Sequence, residues 1–277
     1  MMKLRWVVVA ALSGLGAMSS AQGAVVSFGA MKDNTLFGST TGALSNGAGQ
    51  YMFVGKTAQS ASPTNLRRAL IQFDVAGNVP AGSIITGVEM TLYFSTGQQT
   101  NIVSMHRLLA SWGEGTSDAT CTGGNEGCGA NASNGDATWL HRFKSPAQLW
   151  TTPGGDFNPT PSASLLVGSQ FTNDYHWLST PALVADVQGW LNDPSSNNGW
   201  LLLGEENSQG ASAKRFNTRE NPDASTRPVL TITYTIPEPS TAGLLVLAAG
   251  WVMHRRPPIS GRRRGRDGLS ADGGSRR

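Results

Sequence analysis

The sequence predicts an all-β protein: two antiparallel sheets packed as a sandwich of jelly-roll type, with one short helical turn near residues 186–192. An N-terminal signal helix and a C-terminal hydrophobic helix flank that body. Three observations carry the prediction. Short runs alternate apolar and polar residues with a period of two, turn-forming Gly, Asn, Ser and Pro separate them, and no internal stretch has the length and spacing of a long amphipathic helix.

Each element follows in chain order. "QYMFVG" (50–55) reads as a strand between "SNGAG" and a polar loop around Pro63. "RRALIQFDV" (67–75) places Ala69, Ile71 and Phe73 on one face, with Arg68, Leu70, Gln72 and Asp74 on the other. After the turn "NVPAGSIITG", the run "GVEMTLYFS" (87–95) alternates cleanly: Val88, Met90, Leu92 and Phe94 inward, Glu89, Thr91 and Tyr93 outward. "NIVSMHRLLASW" (101–112) is longer and less regular, which predicts a bulge. A Gly-rich excursion over 113–135 follows. "WLHRF" (139–143), "YHWLS" (175–179), "GWLLLG" (199–204), "AKRFNT" (213–218) and "PVLTITYTI" (228–236) complete the strands. "PALVADVQGWLNDP" begins as extended chain, then sets Val187, Trp190 and Leu191 at helical spacing before Pro194 ends the turn. No internal repeat or linker divides residues 25–236, which read as one domain.

Both ends read as addresses. Lys3 and Arg5, an apolar run from Trp6 to about Met18, and small residues up to Gly23 have the layout of a secretory signal peptide over 1–23. At the other end, "PEPSTAGLLVLAAGWVMHRR" (237–256) has an apolar part, Ala242 to Met253, of twelve residues. That is well below the roughly 20 a relaxed membrane-spanning helix needs. The arginines after it hold that end on the cytoplasmic side, so the segment suits transient membrane contact. The arrangement resembles the PEP-CTERM sorting signal of Gram-negative bacteria, with Pro237, Glu238 and Pro239 as the motif and Arg255 and Arg256 as its basic end. The resemblance implies removal of the tail by an exosortase-type membrane enzyme and delivery to the cell surface or extracellular matrix. Residues 257–277 read as a basic disordered extension.

Removing the addresses reverses the sign of the charge. The whole chain is formally +3, but residues 24–239 hold 11 Lys and Arg against 16 Asp and Glu. An acidic body gives no electrostatic basis for binding a phosphate backbone, which excludes nucleic acid as the default partner. Cys121 and Cys128, close together in a Gly-rich loop of an exported chain, read as a local disulfide.

Several segments occur in the order associated with DNRLRE-type domain proteins, relatives of jelly-roll carbohydrate-binding modules that recur beside PEP-CTERM tails. They include "KDNTLFGSTTGALSNGAGQYMFVG", "WGEGTSDA", "GDATWLHRF", "DVQGWL", "NNGWLLLG" and "AKRFNTRE…RPVLTITY". The resemblance spans nearly all of 32–234, although the literal six-residue string is absent and "RFNTRE" (215–220) stands nearest to it. It implies fold and export more than any particular ligand.

Chemistry is sparse. Glu114, Asp118, Asp136 and Asp156 lie in loops where a glycosidase pair would be sought, but acids beside Gly, Ser and Thr ordinarily cap turns. His106, His141 and His176 stand alone in β runs, without a nucleophile turn. The chain therefore reads as non-catalytic. Aromatic stacking on sugar rings is the better reading, with polysaccharide as the expected partner. Trp190 and Trp200 read as core. Trp112 and Trp139 read as closing the sandwich or lining a site, and Trp150 has the most loop-like context and is the leading ligand contact. Lys214, Arg215 and Arg219 form a candidate cradle for an acidic glycan. The competing reading, which we favour, is a bidentate ion pair between Glu220 and one of Arg67, Arg68, Arg215 or Arg219 that locks strand order. Structural calcium has donors at Asp33 and Asn34, in "PGGDF" (153–157) or in "SNGDAT" (133–138), with no fixed ligand set. Two alternatives to glycan binding stay open: a structural or adhesive matrix protein with no glycan site, and a polysaccharide-active enzyme.

Overall fold

The computed structural model describes residues 23–58, 62–169 and 173–237. The N-terminal half supplies β1 (Gly23–Gly29), β2 (Lys32–Phe37), the two-residue β3 (Leu44–Ser45), β4 (Tyr51–Lys56), β5 (Leu66–Gln72) and the single-turn α1 (Val75–Asn78). The long β6 (Ile84–Gly97) turns into β7 (Asn101–Arg107). Only short pieces, β8 (Ala130–Asn131), β9 (His141–Phe143) and β10 (Gln148–Leu149), interrupt the loops that follow. The chain closes with β11 (Ala163–Val167), β12 (Asn173–Trp177), α2 (Pro181–Asn192), β13 (Trp200–Leu203), β14 (Lys214–Asn217) and β15 (Val229–Thr235).

The protein is mostly β, and the strand pairs are antiparallel. Eleven strands join one sheet in the order β1-β15-β6-β14-β4-β5-β13-β7-β11, with β12 beside β6 and β2 beside β5. The sheet changes partners along β4, which pairs β14 up to Val54 and β5 from Gly55 onward. Gly55 has φ +94°, and a Cβ there would lie 3.0 Å from the Ser212 carbonyl oxygen, so the corner requires glycine. One buried cluster draws on β6, β14 and β15 from one end of the order and on β5, β7 and β13 from the other. The sheet therefore curls around its core.

The alternation of β6 is as predicted: Val88, Met90, Leu92 and Phe94 are buried and the residues between them half-buried. Trp190 and Trp200 are core, both fully buried, with ring centroids 4.5 Å apart. The helix is longer than its predicted turn. Pro181 at its start is helical, not extended, because Thr180 caps it through a hydrogen bond from Leu183 N–H and a proline at the first position lacks only a donor the helix cannot use. The bulge expected within 101–112 is absent from β7, which pairs both neighbours in continuous register; the register shifts fall within β6, at Thr86 and Ser95, and in the short β9–β10 pair. Of the longer strands, β1, β2 and β11 escaped the pattern altogether, as did the two-residue β3, β8 and β10. In β2, Asp33, Asn34 and Thr35 are completely buried, so no polar face marks it. β1 begins at Gly23, two residues before the expected domain start. The signal segment through residue 22 and everything after Pro237, including Glu238, Pro239, Arg255, Arg256 and the hydrophobic helix, lie outside the described residues.

A second buried cluster occupies the opposite face of β2, β5 and β13. Leu36, Leu70 and Leu201 meet Leu108, Ala137, Trp112, Trp139 and Trp150 from the loops of 108–157. These loops are thus a packed cover over the sheet.

Candidate functional site

The rim of that cover forms an open cleft of about 600 Å³. Leu109, Ala110, Phe157 and Pro159 give it an apolar lining, and the exposed Thr151 and Thr152 add hydroxyls. The geometry is set by close approach. Gly155, at φ +108°, lies where a Cβ would come within 2.8 Å of Leu201 Cδ1, which brings the 151–157 turn down onto β13. Asp156 then closes the turn: its Oδ2 accepts from Thr151 N–H and its Oδ1 from Thr152 N–H, both at 2.8 Å. Leu109 N–H donates to the Asp156 carbonyl at 2.9 Å, tying the two walls together.

Beneath the cleft, His106 packs edge-on to Phe157 with ring centroids 5.2 Å apart. Its Nδ1 lies 2.8 Å from the Asn158 carbonyl and its Nε2 2.8 Å from Ser104 Oγ. A carbonyl only accepts, so Nδ1 carries the proton and Nε2 accepts from the serine hydroxyl. Burial lowers the histidine pKa, which favours that neutral form. The third partner is a main-chain carbonyl, not a carboxylate, and the pair fixes the loop that carries Phe157.

A second polar centre joins three distant segments. Arg219 Nε and Nη2 donate to Glu114 Oε1 and Oε2, each at 2.7 Å, and Nε is also 2.8 Å from Glu220 Oε1. Asp33 N–H donates to Glu114 Oε1 at 2.9 Å, and Arg219 N–H donates to Asp33 Oδ2 at 2.9 Å. Lys32 Nζ, one residue away, donates to the Trp112 carbonyl at 2.5 Å and lies 4.2 Å from the Trp112 ring centroid. Burial pushes Asp33 well above the usual carboxylate range, and the Glu220 charge adds to the rise. Burial also lifts Glu220 to about 7, against the pull of Arg219. Lys32 falls to about 8 by burial, opposed by Glu114.

Compared with known protein families and with curated proteins, the chain matches none.

The predicted site residues are not brought together. Trp150, the expected stacking residue, is 4% exposed, and its indole N–H donates to the Thr138 carbonyl at 2.9 Å. It supports the floor of the cover, and the ring that reaches the cleft from the same loop is Phe157. Lys214 is buried, with Nζ donating to the carbonyls of Gln98, at 2.6 Å, and Gln99. Arg215, its neighbour on β14, faces the opposite side, where its guanidinium stacks 4.0 Å from the Tyr51 ring centroid. With Arg219 held by two carboxylates, these three cations form no open cradle. The bidentate pair expected for Glu220 is met only in part: Arg219 reaches it through one contact, and the bidentate partner of that arginine is Glu114, which the sequence did not single out for pairing. Arg67 instead serves main-chain carbonyls, and Arg68 forms a bidentate pair with Glu206.

Cys121 and Cys128 form the disulfide. The adjoining Glu126 anchors its loop: Oε1 accepts from Gln50 N–H, and Oε2 accepts from Tyr51 N–H and Asn46 Nδ2. Asp136 likewise caps turns, accepting from the N–H groups of Thr116 and Ser133. Of the loop acids considered for a glycosidase pair, Asp136 and Asp156 therefore behave as turn caps.

Proposed function

We propose that this is an exported, non-catalytic jelly-roll protein that contacts extracellular polysaccharide through the cleft between Leu109 and Phe157. The observation that carries the reading is the composition of that cleft. Apolar and aromatic groups match the CH faces of sugar rings, flanking threonine hydroxyls match their edges, and a braced loop holds both in place. That Lys214, Arg215 and Arg219 are each engaged elsewhere favours a neutral glycan over an acidic one. A strand order that turns at Gly55 and encloses one core supports the two-sheet sandwich.

Sorting rests on the sequence of 237–256. A PEP-CTERM-like tail of this kind would be cut by an exosortase-type enzyme and leave the body at the cell surface or in the matrix of a Gram-negative bacterium. The enzymatic alternative has little support at the cleft: among the described residues, Asp156 is the one carboxylate of its lining, whereas glycoside hydrolysis requires two across the scissile bond. A structural or adhesive role has one observation in its favour. Ile102 and Leu166 face each other across β7 and the edge strand β11, 58% and 61% exposed.

Affinity electrophoresis of the protein through gels carrying neutral or acidic polysaccharides tests the proposal. Retardation by a neutral polymer, abolished by Phe157→Ala in a protein that still unfolds cooperatively, is the expected result. No retardation by any polymer would transfer the assignment to the adhesive role.

A further inference from the structure

We propose that Asp33, Glu114 and Glu220 bind a divalent cation of the calcium type. This inference stands apart from the polysaccharide reading. One oxygen from each carboxylate lies within 4.8 Å of those of the other two, no wider than twice a calcium–oxygen bond of about 2.4 Å. The donor set is all hard oxygen, which suits calcium and not zinc or copper.

Two oxygens point to a missing partner. Asp33 is completely buried, and its Oδ1 has no hydrogen-bond partner; Glu220 Oε2 is buried and equally unmatched. Buried polar atoms nearly always have partners, so two orphans on converging carboxylates require an explanation. Arg219 does not supply it, because its donors are directed at Glu114, Glu220 Oε1 and Asp33 Oδ2. Three carboxyl groups converge on one guanidinium, with Arg227 acting on Glu220 from further off, so the cluster holds more acid than base. The Lys32 ammonium, turned to the Trp112 carbonyl, offsets no more than one of these carboxyl groups. A divalent ion held among the three carboxylates, with water completing its shell, would give the unmatched oxygens a partner and offset the excess. Calcium tolerates such an irregular shell, whereas magnesium demands near-octahedral geometry.

The ion would fasten β2, the loop after Trp112 and the turn before β15, segments more than 80 residues apart in sequence. Its effect would appear as stability, not catalysis.

The test uses the purified protein, with calcium chloride in thermal unfolding and terbium as a luminescent probe excited through the tryptophans, of which Trp112 is nearest in sequence to Glu114. Millimolar calcium is expected to raise the midpoint by about 5 °C or more, reversibly with a chelator. Terbium luminescence should appear, be displaced by calcium, and be lost in Asp33→Asn. Should that variant fail to fold, Glu220→Gln carries the test, because Glu220 is partly exposed. A folded wild type that neither shifts with calcium nor lights terbium would overturn the proposal. So would responses that persist in both variants, placing the ion elsewhere, or an Asp33→Asn protein more stable than a calcium-indifferent wild type, meaning that a proton closes the cluster.

Discussion

Trp200→Ala is expected to lower the stability of the protein by about 3–5 kcal/mol, the largest single-residue effect we anticipate. The side chain is completely buried between Trp190 and Phe73, so truncation leaves a cavity bounded by α2 on one side and the sheet on the other. It also removes a hydrogen bond: the indole N–H donates to Asp186 Oδ2 at 3.0 Å, inside the core. Asp186 would keep Ser162, at 2.5 Å, and a distant Arg107, at 3.9 Å. Trp200→Phe separates the two contributions, since it retains much of the packing but not the donor; about 1–3 kcal/mol of the loss should remain. Urea unfolding of both variants measures this. A loss below about 1 kcal/mol for the alanine variant would mean that the two ends of the sheet are not joined through this residue.

The second large effect is expected at Glu114. Its carboxylate accepts from Asp33 N–H and both donating nitrogens of Arg219, and so connects β2 to the segment before β15. Breaking a fully buried pair costs about 3–5 kcal/mol by leaving a charge uncompensated. Arg219 is 39% exposed on its side chain and can rehydrate, so we expect about 2 kcal/mol for Glu114→Gln. The measurement is denaturant unfolding in chelator, to keep any bound ion out of the comparison. Combining the change with Arg219→Gln should give a double-mutant coupling of about 1–2 kcal/mol, and additive effects would show that the two groups do not depend on each other.

What was legible in the sequence follows from the range of each signal. The alternation of 87–95 reports a strand with one wet and one dry face, and β6 is such a strand. The core positions of Trp190 and Trp200 were legible because their neighbours are apolar at the spacing of their own elements. The disulfide was legible from composition and closeness alone. β2 was not, because burial of both faces removes alternation, and its buried Asp33, Asn34 and Thr35 read as loop chemistry. The start of α2 was misread although its signal, Thr180 followed by Pro181, was present. Trp150 was misplaced for a different reason. A tryptophan among Thr, Pro and Gly reads as exposed, and nothing local shows that this loop lies over Leu70 and Leu201. The Glu114–Arg219 contact spans 105 residues and has no periodic trace.

Amide hydrogen exchange with and without the polysaccharide that retards the protein most strongly tests the central claim directly. Contact through the cleft predicts added protection confined to residues 108–112 and 151–157, where the walls carrying Leu109, Thr151 and Phe157 meet the ligand. Protection centred on the exposed faces of β7 and β11, or unchanged exchange throughout, would contradict it.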